Sequence, residues 1–295
     1  MSHALPGPLV DAAWLAQRLA EPRLRLLDAS VELPAPGFDG DYRVASGRAG
    51  WLAEHLPGAR HADLLHKLAD TTAGFSFALP PVPVLLQGLQ TLGLGDDSLI
   101  VIYDRSDGFW AARLWWTLRS LGISAAVLDG GLRAWRAAGL PLASGEETDY
   151  PAGQLSVQVQ YRPGFWIERD GVEAVVAGRA PGTLVCALSA GLFDGSAVTR
   201  YARRGHIPGS RNLPARTLFE DDGRYRQGAA LAAACSVLDT APEPIVLYCG
   251  GGISAAANAL ALTLLGRERV AIYDGSLQEW AAEARLPMTT GAAPA

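Results

Sequence analysis

Apolar residues along this chain fall into two alternating kinds of run. Short, mostly apolar runs at 24–27, 99–103 and 125–128 in the first half, and at 183–186, 245–248 and 270–273 in the second, predict strands buried on both faces. Between them, apolar residues recur at three- and four-residue spacing near 11–19, 84–92, 110–121 and 132–138, and again near 171–177, 229–238, 254–265 and 276–284. That spacing predicts helices. Strands alternating with helices give an α/β fold, a mostly parallel sheet flanked by helices in each half.

The pattern is written twice. His55-Leu56-Pro57-Gly58 returns as His206-Ile207-Pro208-Gly209. The run ending Ile102-Tyr103-Asp104 returns as Leu247-Tyr248-Cys249, and Leu128-Asp129-Gly130-Gly131-Leu132 with Trp135 returns as Tyr273-Asp274-Gly275-Ser276-Leu277 with Trp280. Three segments repeating in one order at so long a period indicate duplicated domains. We place them at 1–145 and 164–295. The Gly-, Glu-, Gln- and Pro-rich stretch 146–163, which loses the helical period, reads as the linker. Trp135 and Trp280, equivalent in the two copies, are expected in the cores, and Trp115 and Trp116 in core and domain interface.

Composition narrows the class. A chain of 295 residues is long for one core and suits two. A hydrophobic content of 49% excludes a disordered chain, and 33 Gly with 19 Pro but no period exclude a collagen-like one. With 25 Lys+Arg against 30 Asp+Glu, net charge −5, the broad basic surface of a nucleic-acid binder is missing, so no nucleic-acid partner is expected. Local basic pockets for small anions stay open. No apolar run reaches membrane-span length, and the N-terminus lacks the basic-then-apolar order of a signal peptide. Three cysteines, odd and sparse, argue against a disulfide scaffold and suit a reducing compartment; the cytoplasm is the expected location.

The chemistry-bearing stretch is Tyr248-Cys249-Gly250-Gly251-Gly252-Ile253-Ser254-Ala255. A strand ends at a cysteine, three glycines follow, and an Ala-rich helix begins near Ser254. Ligands of open parallel sheets sit at strand carboxyl ends, so Cys249 belongs at the active edge. Glycines let successive N–H groups converge, and the next helix adds its positive end; sulfur at that focus is favoured as thiolate. Two other readings compete: a small buried hydrophobe, and a phosphate cradle with the cysteine incidental. A phosphate-binding Walker loop needs a lysine, and a cysteine phosphatase an arginine; position 255 is Ala and the next arginine is Arg267. The first copy carries Asp104 where the second has Cys249, which speaks against a packing role. Cys186, counterpart of Asp28, ends a strand, and Cys235 lies in an Ala-rich helix; neither has a glycine nest. His55, His61 and His66 fit no zinc spacing, and His55 and His206 belong to the repeated turn, so no metal and no cofactor are expected.

These motifs resemble the tandem-domain rhodanese family of sulfurtransferases over nearly the whole chain. The resemblance implies an N-terminal domain that is catalytically silent and a C-terminal cysteine that carries sulfur as a persulfide. Thiosulfate-using members have Cys-Arg-Lys-Gly-Val-Thr and mercaptopyruvate-using members Cys-Gly-Ser-Gly-Val-Thr; Cys249-Gly250-Gly251-Gly252-Ile253-Ser254 is similar to the second, with Gly251 replacing serine. The family's Asp-[Ala/Ser]-Arg-x-x-Gly-Arg-[Phe/Tyr] reads here as Cys186-Ala187-Leu188-Ser189-Ala190-Gly191-Leu192-Phe193, so Leu192 replaces a donor-binding arginine. Arg200 is the nearest match to a second family arginine, and Asp63 to an acidic residue that the first domain lends to the cleft. The expected reaction takes a sulfane sulfur from a small, mercaptopyruvate-like donor to Cys249, under the N–H groups of Gly250 to Ala255, and passes it to cyanide, a small thiol or a protein thiol. Arg200, or else Arg203 or Arg204, would hold the donor carboxylate. The alternatives are the same thiol chemistry with thiosulfate or an unusual donor, and a persulfide carrier without turnover.

Overall fold

The computed structural model describes residues 4–147, 152–156 and 160–292. The expected linker 146–163 falls partly on positions 148–151 and 157–159, outside the described residues. The first half contains β1 (Leu9–Val10), β2 (Leu24–Asp28), a small hairpin of β3 (Val31–Glu32) and β4 (Ala45–Ser46), β5 (Ala59–His61), β6 (Leu99–Tyr103) and β7 (Ala125–Leu128). Its helices are α1 (Ala12–Ala16), α2 (Arg48–Ala53), α3 (Val82–Thr91), α4 (Phe109–Ser120) and α5 (Gly131–Ala137). The second half contains β8 (Trp166–Ile167), β9 (Thr183–Cys186), β10 (Arg211–Asn212), β11 (Ile245–Tyr248) and β12 (Val270–Tyr273), with α6 (Arg169–Val176), α7 (Ala190–Asp194), α8 (Gly228–Ala234), α9 (Ile253–Leu264) and α10 (Ser276–Trp280).

Each half builds one five-stranded sheet, ordered β1-β7-β6-β2-β5 and β8-β12-β11-β9-β10, with every neighbouring pair parallel. The orders correspond strand for strand, so the repeat is a duplicated fold. All six expected strands form. The edge strands of two or three residues are too short to show a period and escape prediction.

Helix ends have local causes. Asp11 caps α1, its carboxylate accepting from Trp14 N–H at 2.7 Å. α3 begins at Val82, earlier than expected, because Pro83 in the first turn has no N–H that a helix start would leave unpaired. The helix expected over 229–238 divides into α8 and a 3₁₀ turn, Ser236–Leu238, where Cys235 N–H shares the carbonyls of Leu231 and Ala232.

One hydrophobic core runs through both domains, because α4 and α9 pack against each other and both contribute to it. α9 is buried almost all round, which its alanines permit. Separate cores fill the outer faces, centred on Trp135 and Trp280. Each indole donates to a carbonyl six or seven residues on, Pro141 at 2.7 Å and Pro287 at 2.9 Å. Trp116 stacks tilted on Phe165 of the second half, at 4.9 Å between centroids, so the expected interface role is met. Across the junction Arg113 of α4, almost fully buried, donates to Asp274 at 2.5 Å, and within its own half to Phe77 O at 2.7 Å. Its guanidinium also lies over the Trp166 ring at 4.7 Å. A buried ion pair that is also hydrogen-bonded fixes how the halves meet more than it adds net stability.

Candidate active site

Strand β11 is the central strand of its sheet, with β9 beside it in register Tyr248↔Cys186. The chain returns from β9 outward to β10 and from β11 outward to β12 on the other side. The crevice between them is where a parallel sheet opens for ligands. Cys249 follows β11 at that point and forms part of the wall of a cavity of about 720 Å³ between the domains. Cys186 and Cys235 are buried outside this wall, and burial pushes their thiols up to about 12 and about 11. Both are therefore protonated and unreactive at neutral pH.

The turn after Cys249 needs its glycines for separate reasons. A Cβ on Gly250 would overlap the Tyr201 hydroxyl, and one on Gly251 the Gln278 amide. Gly252 has φ +75°, a left-handed cap from which α9 starts. Gly250, Gly251, Ile253 and Ser254 reach the cavity; Gly252 and Ala255 lie behind it. The Gly252 N–H, expected to serve the sulfur, instead donates to Ser276 Oγ at 3.1 Å, together with the N–H of Cys249 itself at 3.2 Å. Ser276 Oγ in turn donates to Tyr273 O at 2.8 Å. A buried hydroxyl thus ties the start and end of the turn to the next loop. Leu277 N–H and Gln278 N–H complete the tie on the carbonyls of Cys249 and Gly250.

The remaining expected residues separate. Arg200 reaches the cavity, one nitrogen donating to Pro34 O at 2.9 Å. Leu192 and Leu188 both line it. Asp63 does not, contrary to expectation: its carboxylate accepts from the backbone N–H groups of Leu65 and His66 and pairs with the His66 ring, around a different surface cleft. An aspartate two residues before a turn is used locally by that turn. Arg203 does not line the cavity either. It donates to four carbonyls, of Trp280, Ala281, Glu283 and Leu286, and so ends α10 at Trp280 short of the expected 284. Arg204 pairs with Asp39 of the first domain at 2.8 Å. His55 and His206 are structural as expected, each bonding a carbonyl through Nδ1 and stacking on Trp51 or Phe193.

Tyr201 and Gln278 were not visible in the sequence pattern. The Tyr201 ring is half-buried in the cavity wall, and burial next to Cys249 pushes its hydroxyl well above the usual phenol range, so it is a donor at any working pH. Gln278 Oε1 accepts from Ser76 N–H of the first domain at 2.8 Å. Nothing local marks either residue; the repeat places Gln278 after the Asp-Gly turn, a hint without chemical content.

The rhodanese-like domain matches residues 11–138 and 183–283. The chain is 35% identical over 291 residues to a probable 3-mercaptopyruvate sulfurtransferase of Pseudomonas aeruginosa, covering 96% of this chain and 98% of that one. It is 33% identical over 294 residues to 3-mercaptopyruvate sulfurtransferase of Homo sapiens, covering 96% and 95%. The crystal structure of SseA from Escherichia coli, described with the fold and mechanism of 3-mercaptopyruvate sulfotransferases, superposes with TM-score 0.76 at 28% identity, covering 91% of this chain and 98% of that one. With two matched copies of one domain, matching sheet orders and near full-length relatives, this chain belongs to the rhodanese-like domain family.

Proposed function

We propose that this protein is a sulfurtransferase that takes sulfur from 3-mercaptopyruvate onto Cys249 and hands it to a thiol or cyanide. The observation carrying this reading is that Cys249 alone among the three cysteines opens into the interdomain cavity, in a chain whose near full-length relatives are named for that donor. In the first half-reaction the Cys249 thiolate attacks the donor sulfur. The carbon–sulfur bond breaks, its electron pair passes to carbon as the enolate of pyruvate, and a proton completes pyruvate, leaving Cys249–S–SH. Arg200 offers charge to the donor carboxylate, and Tyr201 and Gln278 offer hydrogen bonds to its polar end. In the second half-reaction an acceptor nucleophile removes the outer sulfur and restores the thiolate.

The domain assignment, 1–145 silent, 146–163 linker and 164–295 catalytic, belongs to this reading. It is supported by Asp104 standing where Cys249 stands in the repeat. No helix among the described residues is long and apolar enough to cross a membrane, and sparse unpaired cysteines favour the cytoplasm. Incubation with 3-mercaptopyruvate should release pyruvate in a burst equal to the enzyme and add one sulfur atom to the peptide bearing Cys249, by intact mass and peptide mapping. Turnover should follow when a thiol is added. Sulfur on another cysteine would overturn the nucleophile, and loading without turnover would make the protein a carrier.

A further inference from the structure

The cavity beside Cys249 is larger and more apolar than a three-carbon keto acid requires. Its volume of about 720 Å³ lies in the range that holds a drug-sized molecule, ~300–1,000 Å³. Arg200, Tyr201, Gln278 and Ser254 line it from the second domain, and Glu32, Tyr42, Ser106 and Asp107 add polar groups from the first. Between those polar groups the first domain also presents a continuous apolar wall. Val31 and Leu33 come from the β3 hairpin, Phe77 from the loop before α3, and Phe109 and Trp110 from the first turn of α4. Phe77 and Trp110 meet edge to face at 4.9 Å and 64°, so this wall is a preformed aromatic surface. Leu188 and Leu192, at positions where the family segment has arginines, extend it onto the second domain.

We propose that the second substrate of this site is a small thiol with a bulky apolar or aromatic body, seated on the wall that the first domain supplies. The inference rests on the sulfur-transfer reading. In a two-step reaction one cleft serves both substrates in turn, and the polar corner around Arg200 suffices for the donor. The apolar remainder then faces whatever enters second. The acceptor thiolate attacks the outer sulfur of Cys249–S–SH, the existing sulfur–sulfur bond breaks with its electron pair left on Cys249, and the acceptor departs as its persulfide. Sulfur changes carrier without net oxidation or reduction.

The test loads Cys249 with inorganic polysulfide, so that it does not depend on the donor, and follows single-turnover sulfur loss to 2-mercaptoethanol, 1-butanethiol and 2-phenylethanethiol. Burying a phenyl-sized group is worth ~1.5–3 kcal/mol, so the second-order rate should rise about 10- to 100-fold from the first thiol to the last. Leu192→Arg should reduce that ratio at least fivefold. Rates that are flat across the series, or that follow thiol acidity alone, would overturn the proposal, as would an unchanged ratio in Leu192→Arg. If polysulfide-loaded protein shows the preference while 3-mercaptopyruvate yields no pyruvate, the donor assignment fails and this one stands; the reverse result sinks this one alone.

Discussion

The two strand-end turns of the repeat solve one electrostatic problem in opposite ways. After β6, the Asp104 carboxylate accepts from the N–H groups of Ser106 at 2.9 Å, Gly108 at 3.0 Å and Ala111 at 3.0 Å. The anion is part of the chain, and the turn and helix start are satisfied from within. Burial still raises its pKa, the three amides offsetting only part of the desolvation. After β11 the turn is one residue shorter, Gly252 taking the left-handed position of Gly108. There a thiol replaces the carboxylate, glycines replace side chains, and the cavity opens onto the sulfur. Ser276 Oγ, which has no equivalent at Gly131, takes two of the amides instead. The difference teaches that what fills the turn decides whether this scaffold closes or opens it: a self-supplied anion closes it, and a thiol against a cavity leaves it open.

The largest effects should come from exchanging these fillings. Cys249→Ser is expected to reduce sulfur transfer about a thousandfold or more with little change in stability, whereas Cys186→Ser and Cys235→Ser should keep most of the activity. Asp104→Ala should do the converse, leaving kcat/KM within about threefold while orphaning three amides at a cost of about 2–4 kcal/mol in urea unfolding. If Asp104→Ala instead lost activity with stability intact, the two turns would not be independent.

A smaller effect sharpens the role of Ser276, which holds φ +47° where the first copy has Gly131 at +53°. Removing its hydroxyl frees the amides of Cys249 and Gly252. Ser276→Ala and Ser276→Gly should each lower kcat about tenfold, in line with losing a tie worth about 1–2 kcal/mol. Ser276→Gly should be the more stable of the two by about 1 kcal/mol, because glycine accepts that φ. Equal stability would show that the backbone there is unstrained.

The smallest effect concerns the two aspartates of the repeated Asp-Gly turns. Asp274 is paired with Arg113, while Asp129 accepts from Tyr225 N–H at 2.8 Å with no salt bridge among the described residues, and burial raises its pKa from 3.8 to about 6 against the pull of Arg224. A carboxyl raised on folding stabilises the folded state below pH ~4, and that contribution is lost as pH rises through about 6. Asp129→Asn should therefore match the parent near pH 4 and exceed it above pH 7 by on the order of 1–2 kcal/mol, read from urea midpoints. A difference independent of pH would place the raised carboxyl elsewhere.

Much of this was legible in the chain. The six central strands, the duplication and the position of Cys249 at the end of a strand all follow from apolar runs and from a glycine-rich turn after a strand. Asp63, Arg203 and the Gly252 amide each satisfy a partner that residue type does not reveal: a neighbouring turn, the carbonyls around the end of α10, and a serine 24 positions on. Tyr201, Gln278 and Arg113 were missed for the same reason, since their importance lies in which domain surface they meet.

By itself, then, the sequence determined the repeated architecture, the place of the thiol at a strand end and the family to which the chain belongs. Periodicity and turn chemistry act between near neighbours and leave a readable trace. The tertiary structure alone decided which amides of the turn Ser276 takes, which arginine lines the cavity and that the first domain lends the cleft an aromatic wall. Those outcomes depend on hydrogen-bond partners and packing surfaces that folding brings together from distant parts of the chain.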